Sequence, residues 1–508
     1  MTAQSFEAFY VCVYFEKGEA IGHRGGFDSN FPDTLDGSEA NKEQIPKIKR
    51  SGMRDISKNF ISSMMGYLEY VPIILTLTPT VSHRMVSQSL QTFLESKCSS
   101  CERGEDRVIY QFDLHDAPAI RRFEENLSAA TSTSRSLPRL LTVGLVTSLE
   151  YHINLVMKEL AATNPNSVFS KEKSIPVREA VNYSSIEELR ETLINDEIDK
   201  AQRDTFENQI KWIIGRVDGM DDFTPHYAEW PEILELFERR NLFVHANGTV
   251  NEHYLRASKK YKFKDKTERN LGDELHAGPK YFTASVHNVI HFGAMFLQVI
   301  WRKLAPTENR LADQIISDLG YELIAKGQYK LAIRILEFAK NLRDVSDDAK
   351  RRMNIVNLAC AHNLSGDQKA SLKTLDSMDW SAVAPEFKIS VAAVKGDIQQ
   401  VVDLMTKLGK NGDMRAQFYQ DWPAFYSVRE DPLFSQAFSS IFGIDYIPSS
   451  KKQAGLPQVM EWIDQQGLRA KSRASASTDG NEIDRDNTVS LRPKDADITY
   501  QEQEEEEE

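Results

Sequence analysis

The residues best suited to chemistry stand within one short stretch: Glu235, Arg239, Arg240, Asn241 and His245, with the apolar run Leu242, Phe243, Val244 before the histidine. An arginine carries a permanently charged planar fork that matches phosphate oxygens. A histidine exchanges protons near neutral pH. Together they suit cleavage of a phosphodiester by a neighbouring 2′-hydroxyl. That reaction needs the hydroxyl deprotonated, the leaving oxygen protonated and the phosphorane charge stabilised. Asn241 suits a supporting role, orienting the substrate or the arginine by hydrogen bonding. Two positions five apart on a helix differ by about 140° in direction and about 7.5 Å in height. One copy of the stretch therefore does not close a tight site. The plainer alternative is a solvated face of arginines with His245 as a helix cap. Glu235 and Arg239, four apart, read as a helix-face ion pair before they read as catalytic groups.

The elements that must position these residues are helical. Pro231 suits the first turn of a helix that runs to about His245, and Asn247 with Gly248 forms a stop signal. Ahead of it, Leu141, Leu145, Leu149, Ile153, Val156 and Leu160 recur at three and four residues, the apolar face of an amphipathic helix. Further helices are expected over 186–193 and 206–214, then a charged loop over 259–278. A long helix over 281–304 closes the unit, with Val286, Val289, Ile290, Phe296, Leu297 and Ile300 as its buried face.

The stretch around Arg240 resembles the signature of the HEPN superfamily: arginine, a polar residue, then histidine four to six positions on. An extended form of that signature has glutamate and lysine ahead of the arginine. Glu235 fits the glutamate, and Arg239 stands where lysine is usual. The resemblance covers roughly residues 140–304. It implies a helical domain over 138–305 that dimerises so that two motifs face one cleft. It also implies RNA as substrate, no metal or other cofactor, and 2′,3′-cyclic phosphate products. Arg240 would bind the scissile phosphate and His245 would act as general base or acid, with Asn241, Arg239 and Glu235 in support.

After Pro306 a repeat begins. Gly327, Gly366 and Gly396 each lie between two helical patterns, near the spacing of helix–turn–helix solenoids. The first unit, with Gly320, Tyr321, Gly327, Tyr329, Ala332, Phe338 and Ala339, resembles a tetratricopeptide repeat. This assigns 306–445 to a short solenoid capped by the segment around Trp422 and Pro432. The first 137 residues are expected to form a small mixed α+β region. Gly18, Gly22, Gly25, Gly26, Pro32 and Gly37 suggest loops, 71–77 and 108–114 have strand-like composition, and 56–70 and 82–94 suit helices. Residues 446–508 are polar and end in five glutamates, with 460–468 as one short helix in an otherwise disordered tail.

Other signals carry less. Cys98 and Cys101 form a lone CxxC, which as a zinc site needs two more ligands, with His83 and His115 as candidates. His287 and His291 share a helix face and read as core or interface histidines. Tyr254 is the nearest tyrosine downstream of the motif, and a chain silenced by nucleotidylation of such a tyrosine is a third reading. There is no Walker loop and no GxGxxG.

Composition bounds the rest. The chain has 508 residues, of which 41 % are hydrophobic, enough for about three folded domains. The net charge of −13 is weighted toward the tail, so it does not exclude a local basic site. The N-terminus lacks a basic and apolar leader, no membrane-length apolar run is evident, and four cysteines make no disulfide framework. The expectation is a cytoplasmic, mainly α protein: a HEPN bundle and a tetratricopeptide-like solenoid behind a mixed N-terminal region. Its function would be that of an endoribonuclease, in the manner of a toxin or anti-phage effector. The alternative is a non-catalytic scaffold that dimerises and holds a protein partner on the concave face of its repeats.

Overall fold

The computed structural model describes residues 9–16, 19–27, 51–103, 108–169, 174–264, 269–342, 345, 347–410, 412 and 414–446, with no side-chain account of 9–27, 76–88, 103 or 108. Two units separate, Met1–Arg50 and Ser51–Glu508. In the first, β1 (Phe9–Glu16) and β2 (Glu19–Phe27) pair antiparallel, Phe9 opposite Phe27. The aromatic and β-branched residues of β1 favour the extended chain. Gly22, Gly25 and Gly26, expected in a loop, lie in β2: cross-strand pairing outweighs the weak strand preference of glycine. Gly18, Pro32, Gly37 and the tail from 447 onward, including 460–468, lie outside the described residues.

The second unit is mainly helical. It opens with α1 (Met53–Glu69) and α2 (Val71–Lys97), a small hairpin of β3 (Ser100–Arg103) and β4 (Val108–Gln111), and α3 (Ala117–Thr163). There follow α4 (Val177–Ala180), α5 (Ile186–Gln202), α6 (Phe206–Ile214), α7 (Phe223–His226), α8 (Trp230–His245), α9 (Glu252–Tyr261) and α10 (Pro279–Leu304). The chain continues through α11 (Asn309–Ala325), α12 (Tyr329–Lys340), α13 (Asp348–Leu364), α14 (Gln368–Leu375), α15 (Pro385–Lys395), α16 (Ile398–Leu408), α17 (Ala416–Asp421) and α18 (Pro432–Phe442).

Three expectations change. Residues 71–77 are the start of α2 and not a strand, because a short apolar run looks alike in a strand and in a packed helix. The charged stretch from Lys259 begins inside α9, a helix started by Asn251, whose side chain accepts from the Tyr254 amide. The domain start expected at 138 falls inside a helix: Pro138 sits within the 47 residues of α3. Pro138 keeps its carbonyl useful: Thr142 Oγ1 donates to it at 2.9 Å.

The bundle core is built by α1, α3, α8 and α10. Leu145, Leu149, Ile153, Val156 and Leu160 are buried as their spacing predicts, and so is the predicted face of α10. Helix α1 joins them across the expected boundary. Phe60 lies so close to Gly293 of α10 that a Cβ there would stand 2.1 Å from the Phe60 ring. Only a bare backbone lets the two helices approach so near. Before residue 138, α3 packs along α2, with Ile120, Phe123, Leu127, Ala130 and Leu137 as a partly buried stripe at heptad spacing. By length and composition α3 is also apolar enough to cross a membrane, which the sequence reading did not anticipate. Leu145, Leu149, Ile153, Val156 and Leu160 of this helix are buried in the bundle core, whereas Leu140 and Tyr151 are exposed.

Beyond α10, the pairs α11–α12, α13–α14 and α15–α16 are helical hairpins. Gly327, Gly366 and Gly396 sit at their turns with φ of 73°, 94° and 77°. The 3-10 turn Pro423–Phe425 packs against α11, α13 and α15, the first helix of each hairpin. Trp422 donates to Asn357 Oδ1 at 3.0 Å, and Phe425 is fully buried. The first helices of the three hairpins therefore hold the chain's own Trp422–Phe425 segment.

Candidate functional site

Helix α8 begins with Pro231 in its first turn and ends at His245, as the stop signal predicts. Asn247 and Gly248 turn the chain with φ of 49° and 82°, and the Gly248 amide donates to the Leu242 carbonyl at 3.0 Å. A side chain at 248 would meet the Leu275 carbonyl at 3.0 Å, so glycine is required there twice over. Arg139 of α3 clamps this turn. Its Nη1 donates to the Asn247 carbonyl at 2.9 Å and to Asn247 Oδ1 at 2.6 Å, and its Nη2 pairs with Glu274.

Glu235 and Arg239 are one turn apart, Arg239 buried and Glu235 partly so. Arg239 Nε donates to Glu235 Oε1 at 2.6 Å, Nη1 to the His276 carbonyl at 2.8 Å, and the guanidinium lies 3.9 Å over the Tyr281 ring. Tyr254 and Tyr281 complete the cluster, donating to the two Glu235 oxygens at 2.9 and 2.7 Å. Burial works against the Arg239 charge, but Tyr281, Glu235 and Tyr254 outweigh it and hold the guanidinium more basic than usual. Burial, reinforced by Glu235, pushes both phenols well above their ordinary range. The ion pair expected at i, i+4 is present. Arg239 is spent on packing, and Tyr254 is 1 % exposed. That burial removes Tyr254 as a site of modification in this conformation.

Arg240 faces elsewhere. Its Nη2 meets Glu150 Oε1 of α3 at 2.5 Å, its guanidinium stands 5.8 Å from the Phe237 ring centre, and its Nε is buried with no hydrogen-bond partner. Arg240 and Asn241 line a cleft of roughly 590 Å³ between α6, α8 and α9. His245 is exposed one turn further on and does not line it. The chain thus brings Arg240 and Asn241 to one cleft and leaves His245 outside, as the helical geometry requires.

The cleft contains residues that the motif did not point to. Lys211 of α6, and His253, Arg256 and Lys260 of α9, stand around it. The N-cap at Asn251 places His253, Arg256 and Lys260 on one helix, as the N-cap at Thr205 places Lys211 on α6. Lys211 and Lys260 share Glu207 at 2.8 and 3.4 Å, and His253 faces Glu238 at 3.2 Å. Burial raises the Glu207 carboxyl, but hydrogen bonds from Lys211 and Tyr261 and the two lysine charges outweigh it and leave its pKa lowered.

The remaining candidates resolve simply. Cys98 and Cys101 are free thiols, and among the described residues no three metal-binding side chains stand together; the side chain of His83 lies outside the described residues. His287 and His291 serve the junction between α10 and the repeats. His287 meets Gln328 at 3.2 Å. His291 Nδ1 lies 2.8 Å from Arg334 Nη2 and 3.1 Å from the Tyr227 hydroxyl. Burial and the Arg334 charge push His291 down to about 3, so it stays neutral and accepts from Arg334. No family model, no curated protein and no solved structure matches this chain.

Proposed function

We propose that the chain is an endoribonuclease of HEPN type that acts as a homodimer, without a metal, and leaves 2′,3′-cyclic phosphate ends. One observation carries the reading: of two consecutive arginines, Arg239 is locked into the core while Arg240, Asn241 and His245 reach the surface of the second half of α8. Arg240 binds the scissile phosphate, Asn241 orients it, and His245 moves the proton. Arg239 and Glu235 support them by fixing α8. The missing proximity between Arg240 and His245 is supplied by a second copy. Leu140 and Tyr151 of α3 and Val244 of α8 are 66 %, 57 % and 51 % exposed, and the contacts of Arg139 and Glu150 run α3 alongside α8 here. Large apolar side chains gathered beside a half-formed site suit a dimer face. In the same reading the hairpins after α10 are tetratricopeptide-like, with Gly320 at a small position tight against Leu336. The setting, a cytoplasmic toxin or anti-phage effector, is the family's.

The test is RNA cleavage in EDTA by wild type and by His245→Ala, with product ends mapped. Cleavage by wild type alone, with cyclic phosphate ends, supports the reading. Tyr151→Glu should yield a monomer by sedimentation and abolish cleavage. A second reading, the non-catalytic scaffold with a protein partner on its repeats, draws on the Glu150 carboxylate that already occupies Arg240. Failure of every variant to cleave, across several RNAs, favours it.

A further inference from the structure

The cleft beside Arg240 is self-neutralised. Arg240 holds Glu150 from α3 at 2.5 Å. Lys211 of α6 and Lys260 of α9 converge on Glu207, which also accepts from the Tyr261 hydroxyl at 2.5 Å. These cations come from three helices and meet at one cavity. The acids that answer them come from α3 and α6: Lys211 and Glu207 pair along one face of α6, whereas Arg240–Glu150 and Lys260–Glu207 each join two helices and are products of the fold. Arg203 and Arg256 stand exposed on the rim, and Thr205, Asn208 and Asn241 add polar groups.

We propose that this cleft is a subsite for the backbone of single-stranded RNA, in which Glu150 and Glu207 are resting counter-ions that an RNA phosphate displaces. The inference rests on the endoribonuclease reading and names what that site takes hold of and what restrains it. A carboxylate offers arginine the same two-oxygen face that a phosphate does, so one replaces the other without rearranging the guanidinium. The pair is partly exposed, with 23 % and 29 % of the two side chains accessible, so solvent screens it and exchange is cheap. The volume is within the range that holds a small-molecule ligand such as one nucleotide. Tyr261, half-buried at the edge, is stacked with Phe263 and lies under the Lys260 ammonium, so its ring becomes open to an unpaired base only as phosphate draws Lys260 away. Because His245 lies outside the cleft, the nucleotide held there is a neighbour of the scissile bond. The two acids weaken binding by competing for the same cations, and they leave a duplex, whose bases are already stacked, with little to gain.

The experiment measures binding of a fluorescent single-stranded RNA to the full chain carrying His245→Ala, across salt concentrations. Glu150→Gln and Glu207→Gln, each added to it, should tighten binding roughly tenfold near 0.1 M salt and steepen the log–log salt slope by about 0.7, the effect of one more phosphate contact. Lys260→Ala should weaken binding and flatten the slope. Thermal unfolding checks that each variant is folded, and Glu150→Gln, at a half-exposed position, carries the test if Glu207→Gln is not. Unchanged affinity in both glutamine variants, alongside RNA cleavage by wild type, overturns the inference and leaves the nuclease reading standing. Tighter binding of inorganic phosphate without tighter binding of RNA overturns the RNA assignment. Absence of both binding and cleavage in every protein overturns the nuclease reading and the inference with it.

Discussion

Arg239 and Arg240 are consecutive, yet the first lies over the Tyr281 ring inside the bundle and the second reaches across the surface to Glu150. One helical step of about 100° separates the guanidinium packed in the core from the one proposed to bind phosphate. Arg239→Ala would leave Glu235 as a buried charge without its partner, a loss of roughly 3–5 kcal/mol. Arg240→Ala should cost less than about 1 kcal/mol and abolish cleavage. Urea unfolding of both variants beside an RNA cleavage assay checks this. Equal destabilisation by the two substitutions contradicts it.

Arg139 holds the turn that follows His245. Its removal leaves Asn247 to hold a left-handed conformation without the hydrogen bonds that fix it. Arg139→Ala should lower stability by roughly 1.5–3 kcal/mol, the range for hydrogen bonds to a charged group. Amide exchange over 246–250 should accelerate, and cleavage should slow without a change in product ends. Unaltered exchange in that segment argues against the clamp.

Acid should loosen the joint between bundle and repeats. His291 is held down at about 3, whereas the unfolded chain protonates it near 6.5. Between those values the unfolded state binds one more proton than the folded state. Its effect is that stability falls as pH drops from about 6.5 toward about 3, by up to about 1.4 kcal/mol per unit. His291→Gln should flatten that part of the stability curve. Persistence of the full slope in the variant refutes the assignment.

Gly293→Ala tests the contact between α1 and α10. A methyl group would overlap the Phe60 ring, and overpacking of this kind costs roughly 1–3 kcal/mol. Calorimetry should show a lower Tm for Gly293→Ala and a recovery when Phe60→Leu is added. A Tm that stays at the wild-type value means the ring moves aside freely.

Much of the helical layout was legible because its period is local. Leu145 to Leu160 at three and four residues, Pro231 at a helix start, and the three turn glycines each act through neighbours in sequence. The run 71–77 misled because apolar, β-branched residues satisfy a strand and a packed helix equally, and α3 and α10 decide between them from far away in the chain. The site divides along the same line. The Arg240, Asn241, His245 stretch and the Glu235–Arg239 pair are local patterns. What separates Arg239 from Arg240 is Tyr281, 42 positions downstream of Arg239, and Glu150, 90 positions upstream of Arg240. Lys211 and Lys260 join the cleft only once α6 and α9 are packed beside α8, a meeting that no spacing in the sequence announces.

The seating of Pro423–Phe425 on the first helices of all three hairpins has a thermodynamic consequence. In an open solenoid each repeat touches its neighbours alone, and the array can melt from one end. Here a single segment, with Phe425 fully buried, bears on three repeats at once. Opening any one of them strips that segment of part of its seat and weakens its hold on the others. The hairpins between Asn309 and Leu408 are thereby tied into one cooperative block, which should lose its amide protection in a single step and not repeat by repeat.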